Sequence, residues 1–163
     1  MNAEPFTASS YDIEAAELAP LEPEAAETLG RALAAMDPWM TLGYGAQDLA
    51  HDLAREEHGA RKLAVMTPQG VAGAVVLRYP FLRGAYLELL AILPDFQGRG
   101  LGGAVVDWMV AESTGRVGNL WTCGSAFNSR ALAFFERQGF RRVGALPDLV
   151  RDGFTEIFLR RRL

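Results

Sequence analysis

Cysteine occurs once in these 163 residues, at Cys123, and histidine only at His51 and His58. One thiol cannot close an internal disulfide, so the core must hold the chain together, and a reducing, cytoplasmic setting is expected. Two histidines seven positions apart, with no further ligand spacing beside them, give no metal motif. No apolar run approaches the ~18 residues of a membrane span. The opening MNAEPFTASSYDIEAAEL is acidic where a secretory leader would be basic and then apolar. No membrane partner is therefore expected. Internal repeats, low-complexity tracts and linkers are also missing, which favours a single domain over residues 1–163.

What is present is 50% hydrophobic and 22% charged, a globular composition. The net charge of −4 is unevenly spread. Residues 1–60 carry twelve acids against Arg31 and Arg55, a net of −10. Residues 61–163 carry fourteen bases against eight acids, a net of +6. The basic half suits an anionic ligand and the acidic half a cationic one, although solvated helix faces also produce such a split. The bases are dispersed and the total is negative, so nucleic acid is not an expected partner.

Periodicity predicts strands and helices in mixed order. Residues 11–18 alternate weakly as a first strand. Ala25, Leu29, Leu33 and Met36 recur at helical spacing up to the stop at Asp37-Pro38, and Leu49, Leu53 and Ala54 mark a second helix over 46–58. Strands follow over 61–67, 71–79 and 85–93, then a helix over 100–113 and a strand over 117–123. A helix over 128–138 and strands near 139–146 and 153–160 complete the chain. Hairpins combined with strand–helix alternation predict a mixed α/β sheet with helices on its faces.

The segment LPDFQGRGLGGAVVDWM, residues 93–109, places Gly98, Gly100, Gly102 and Gly103 where a strand hands over to a helix. A helix N-terminus carries unpartnered amides and partial positive charge. Glycines there let the backbone approach a phosphate, with Gln97 and Arg99 on the rim. No Gly-Lys-Ser/Thr follows, so this is not a Walker loop. Taken to Gly103 the segment fits Gly-x-Gly-x-x-Gly, but it does not open a first βαβ unit as a dinucleotide fingerprint should.

Gln97-Gly98-Arg99-Gly100-Leu101-Gly102 resembles the Gln/Arg-x-x-Gly-x-Gly/Ala signature of the GCN5-related N-acetyltransferase (GNAT) superfamily. NSRALAFFERQGFRRVG, residues 128–144, is similar to its second block, in which an asparagine opens a helix ending in Gly-Phe. The resemblance covers about residues 61–160. It implies a splayed, mostly antiparallel sheet of about six to seven strands flanked by about four helices. Acetyl-CoA would wedge between the strands near 85–93 and 117–123, with no metal. Its pyrophosphate would lie on the amides of Gly98, Arg99, Gly100, Leu101, Gly102 and Gly103, with Gln97 beside them on the rim. Its pantetheine would pair with Ile92 and Leu93, and Asn128 and Phe135 would flank it. The first two helices, within residues 1–60, with the loop between them and the last strands, would form the acceptor side, with Asp37, Asp48 and their neighbours drawing in a cationic amine.

The implied reaction is direct acetyl transfer from acetyl-CoA to a primary amine in a ternary complex. A lysine-type amine, with a pKa of about 10.4, needs a base to release its lone pair. Glu88 is the ionisable side chain within residues 87–93, and alternation puts it on the face of Tyr86, Leu90 and Ile92, which makes it the candidate base. A solvated strand-end carboxylate is the alternative. The family often takes the thiolate's proton from a tyrosine in Phe-Tyr-Glu. Here the run is Phe134-Phe135-Glu136, so Tyr86, Tyr44 and water are the remaining donors. Cys123, where several relatives carry a carboxylate, reads as a substrate-lining thiol or a buried apolar one. Trp39, Met40 and Tyr44 are candidates for the acceptor pocket, with core packing as the equal alternative. Other acyl groups or acceptors, and a catalytically weak CoA-binding regulatory module, are the rival readings. Homodimerisation and the acceptor's identity are left open.

Overall fold

The computed structural model describes residues 3–163. Its strands are Tyr11–Ile13 (β1), Ala16–Pro20 (β2), Ala60–Thr67 (β3), Gly70–Phe81 (β4), Gly84–Ile92 (β5), Asn119–Ser125 (β6), Arg141–Pro147 (β7) and Thr155–Arg162 (β8). They form one sheet in the order β1-β2-β3-β4-β5-β6-β8-β7. Every neighbouring pair is antiparallel except β5 and β6. The helices are Pro23–Ala34 (α1), Trp39–Leu42 (α2), Ala46–Ala54 (α3), Leu101–Ser113 (α4) and Ser129–Arg137 (α5).

The mixed, mostly antiparallel class is as expected, with eight strands and five helices among the described residues. The additional strand arises at residues 11–18. The chain reverses there through Ala15 at φ 63°, so a hairpin replaces one strand. The additional helix is α2, a single turn too short to show periodicity. The second predicted helix ends at Ala54, four residues early, which leaves His58 outside it and removes any shared helical face with His51.

Adjacent β4 residues alternate between two cores. Ala74 and Val76 pack with Leu29, Leu33, Leu49 and Leu53 of α1 and α3. Val75 and Leu77 pack on the other face with Val105, Met109, Leu132 and Phe135 of α4 and α5. Leu29, Leu33, Val75 and Met109 are fully buried, each such side chain contributing about 1.5–3 kcal/mol of transfer free energy. Gly30 lets α1 and α3 close up. A Cβ there would stand 2.5 Å from the Ala46 carbonyl oxygen.

Two irregularities in β5 position the site. The β4–β5 register steps from Val76↔Leu89 to Leu77↔Leu87, so Glu88 is a bulged extra residue. The parallel pairing of β5 with β6 runs only from Gly84↔Asn119 to Leu87↔Thr122. It stops at the bulge, and from there β5 follows β4 while β6 follows β8.

Candidate active site

The parting of β5 and β6 opens a fork whose apex is Leu87 and Thr122. Thr122 is buried, and its hydroxyl donates to the Leu87 carbonyl at 3.0 Å, which closes the apex. A cleft of about 1380 Å³ runs through the fork. Tyr86, Leu90 and Ile92 line one arm and Cys123, Gly124 and Ser125 the other. Gly98, Gly100, Leu101, Gly102, Gly103, Gln97, Asn128 and Phe135 lie on one side, and Trp39, Tyr44, Leu149 and Phe158 on the other.

The four glycines of the turn have different reasons to be glycine. Gly98 and Gly100 sit at φ +75° and +80°, where L side chains are strained, and a Cβ on either would meet nothing within 4 Å. Gly102 faces α5, where a Cβ would stand 3.2 Å from the Phe134 ring. A Cβ on Gly103 would be 3.5 Å from the Gln138 amide nitrogen. No side chain caps α4, and Ala104 donates to the Gly100 carbonyl at 3.0 Å to start the helical ladder. The amides ahead of Ala104, at a positive dipole end, form a surface suited to an anion.

Other expected cofactor residues have local structural partners. Gln97 donates through Nε2 to the Ile92 carbonyl at 2.8 Å, tying the turn to the end of β5. The Leu93 amide donates to the Ala72 carbonyl at 2.8 Å, within the sheet, and Leu93 packs against the α1–α3 core rather than lining the cleft. Arg99 is likewise outside the lining: its guanidinium donates to the Asp95 carbonyl and lies 5.2 Å over the Phe96 ring. Asn128 caps α5, its Oδ1 accepting from the Ala131 amide at 3.3 Å, and its amide nitrogen remains as a donor. Phe135 is 7% exposed, edge-on to Phe140 at 5.7 Å.

Glu88 differs most from expectation. The bulge inverts the alternation, so Leu90 and Ile92 pack toward α4 together with Leu87, and Glu88 does not share their face. Its carboxylate is bound through both oxygens by Arg78, which also holds Glu57 at 2.9 Å. These two carboxylates raise the pKa of Arg78, and its hydrogen bond lowers that of Glu57. Arg78 thus occupies both carboxylate oxygens of Glu88, which leaves neither facing an incoming amine unpartnered.

Tyr86 stacks on Phe81 at 4.8 Å, and burial raises its hydroxyl's pKa, so the phenol stays protonated. Cys123 is its neighbour across the fork, and burial raises that thiol as well. Tyr44 lies 5.8 Å under the Arg151 guanidinium, which brings the loop between β7 and β8 over the acceptor side. Asp37 lines the cleft but is engaged by Thr41, and Asp48 lies outside the lining.

Sequence reasoning missed Glu156. It lines the cleft from β8, is 6% exposed, and accepts from the Ser125 hydroxyl at 2.6 Å. A carboxylate between Phe154 and the apolar Ile157-Phe158-Leu159 was the available signal, similar to the one that singles out Glu88.

Among the described residues no helix is long and apolar enough to cross a membrane, and no group of three or more His, Cys, Asp or Glu is placed to hold a metal.

The model of the acetyltransferase (GNAT) family matches residues 26–140. The chain is 40% identical over 68 residues to mycothiol acetyltransferase of Acidothermus cellulolyticus, covering 42% of this chain and 20% of that enzyme. It is 34% identical over 79 residues to the ribosomal protein bS18-alanine N-acetyltransferase of Escherichia coli K12, covering 48% of this chain and 53% of that one. These matches thus span at most about half of the curated relatives. An acetyltransferase structure from Thermus thermophilus superposes with TM-score 0.73 at 28% identity, covering 94% of this chain and 100% of the other.

Proposed function

The chain belongs to the acetyltransferase (GNAT) family, and from that premise we propose that it transfers an acetyl group from acetyl-CoA directly to a primary amine in a ternary complex. The observation that carries this reading is the fork between β5 and β6 with the glycine turn at its mouth. The turn offers backbone amides to the pyrophosphate, and the free arms of β5 and β6 offer main-chain groups to the pantetheine. The thioester would then reach the apex beside Tyr86, where the amine comes in from the side of Trp39, Tyr44 and Phe158. Tyr86, held neutral by burial, is the candidate donor to the departing thiolate, the role that Phe135 has no proton to fill.

The test is release of CoA thiol from acetyl-CoA in the presence of a peptide with a free α-amine, lysine or spermidine, with the product mass read in parallel. Amine-dependent thiol release with an acetylated product is expected. Absence of both across the panel contradicts the reading. Phe135 in the tyrosine position favours one rival, a CoA-binding module, and saturable acetyl-CoA binding without turnover would carry that one instead.

A further inference from the structure

Five carboxylates line the cleft, and they are held differently: Asp37 accepts from Thr41 and Asp52 lies beside Arg55. Glu57 and Glu88 share Arg78. Glu156 has no Arg or Lys ion pair among the described residues, and Ser125 is its hydrogen-bond partner. The register of the sheet puts it between Ser125 of β6 and Leu146 of β7, and Phe158, two residues on, pairs with Cys123. The titratable groups facing it are therefore Cys123 of β6 and Tyr86 of β5. Both sense its charge, and Tyr86 also senses Glu88. From β7 it meets the apolar Leu146. A desolvated carboxylate with no cation is unfavourable to keep for packing alone, because an apolar residue would fill the same place at lower cost.

We propose that Glu156 is the general base of the transfer, oriented by Ser125 and acting across Cys123 from Tyr86. This rests on the acetyl-transfer reading above. The Glu156 carboxylate takes one proton from the acceptor ammonium and later releases it to solvent. The freed lone pair attacks the thioester carbonyl carbon, so the C–N bond forms. The C–S bond then breaks with its electron pair going to sulfur, and the Tyr86 hydroxyl protonates the thiolate. The second proton lost by the nitrogen restores Tyr86. Burial raises the Glu156 carboxyl above its ordinary value, which moves it toward a match with an amine.

Glu156→Gln keeps an oxygen for the Ser125 hydrogen bond while removing the base. We would measure kcat against pH at saturating acetyl-CoA with the best amine of the panel, with Glu88→Gln in parallel and acetyl-CoA binding by calorimetry. E156Q should lower kcat about a hundredfold or more near neutrality, within the usual range for a lost general base. That loss should shrink as rising pH deprotonates the amine unaided, acetyl-CoA affinity should not change, and E88Q should lose at least about ten times less. Should E156Q bind acetyl-CoA poorly, Glu156→Ala with added formate decides: restored turnover supports the base, and no restoration overturns it. E156Q with the parental kcat and pH profile overturns the assignment while leaving acetyl transfer intact. A parent that acetylates no amine overturns both.

Discussion

At the scale of single residues, a carboxylate inside a strand has two outcomes in this chain. Glu88 is neutralised by Arg78 and sits at a bulge. Glu156 is buried against a serine. The sequence contains both but not the distinction, since Arg78 reaches Glu88 only once the β4–β5 register is set. Burial leaves a thermodynamic trace on Glu156. Its carboxyl titrates above the usual 4.5, so the folded state binds that proton more tightly than the unfolded one. The corresponding stability is full below that value and is lost as pH rises through the raised one. E156Q should therefore melt higher than the parent near neutrality, with the gap closing below pH 4.5. Thermal melts at the two pH values check this, and a lower melting temperature for E156Q near neutrality would contradict it. Tyr86→Phe should reduce kcat at least about tenfold with little change in amine KM, since a proton donor acts on the departing thiolate rather than on binding. An unchanged kcat would move that role to Tyr44 or water.

At the scale of elements, the long periodic segments were legible: α1, α4, α5 and β3 to β6 lie within a few residues of their expected bounds. The glycine turn was legible too, because its residue types are dictated locally by φ and by approach. What sequence could not show came from pairing. Ala15 splits one expected strand into a hairpin, α2 is shorter than a helical period can reveal, and the Glu88 bulge changes the face of everything after it. The bulge also explains why the fork begins at Leu87, since the β5–β6 ladder ends there. Thr122→Val should loosen that apex. It leaves the Leu87 carbonyl without its side-chain donor, at about 1–3 kcal/mol in a buried setting, readable by denaturant unfolding. Gly30→Ala should destabilise by about 1–3 kcal/mol, because its methyl meets α3 backbone rather than a movable side chain. Unchanged stability would mean that α1 and α3 can separate freely.

At the scale of the whole molecule, the split in charge matches the two sides of the fork only in part, since Leu149, Arg151 and Phe158 of the basic half stand on the side of Tyr44. The acidic first 60 residues supply α1 to α3 and the Trp39–Tyr44 wall, and the basic remainder supplies the glycine turn and α5. Only part of the acidic excess faces the cleft: Asp37, Asp52 and Glu57 line it and Asp48 does not. Attraction between such a surface and a cationic acceptor is screened by salt. Added salt should therefore raise KM for spermidine more than for a singly charged amine, and equal salt responses would separate the charge split from acceptor choice.

The central claim is that the mouth of the fork holds the pyrophosphate of acetyl-CoA, and a calorimetric titration of acetyl-CoA into the parent and a Gly100→Asp variant tests it most directly. Gly100 has open space at its Cβ position, so the new carboxylate would displace no neighbouring side chain, and Gly100→Asn, equally strained at φ +80° but uncharged, isolates the effect of the charge. Two like charges about 4 Å apart repel by about 4 kcal/mol at an effective dielectric of about 20, and solvent at the rim reduces this. Saturable binding by the parent, weakened at least about tenfold in a folded variant, is the predicted result. Equal affinities, or no binding by the parent, would contradict it.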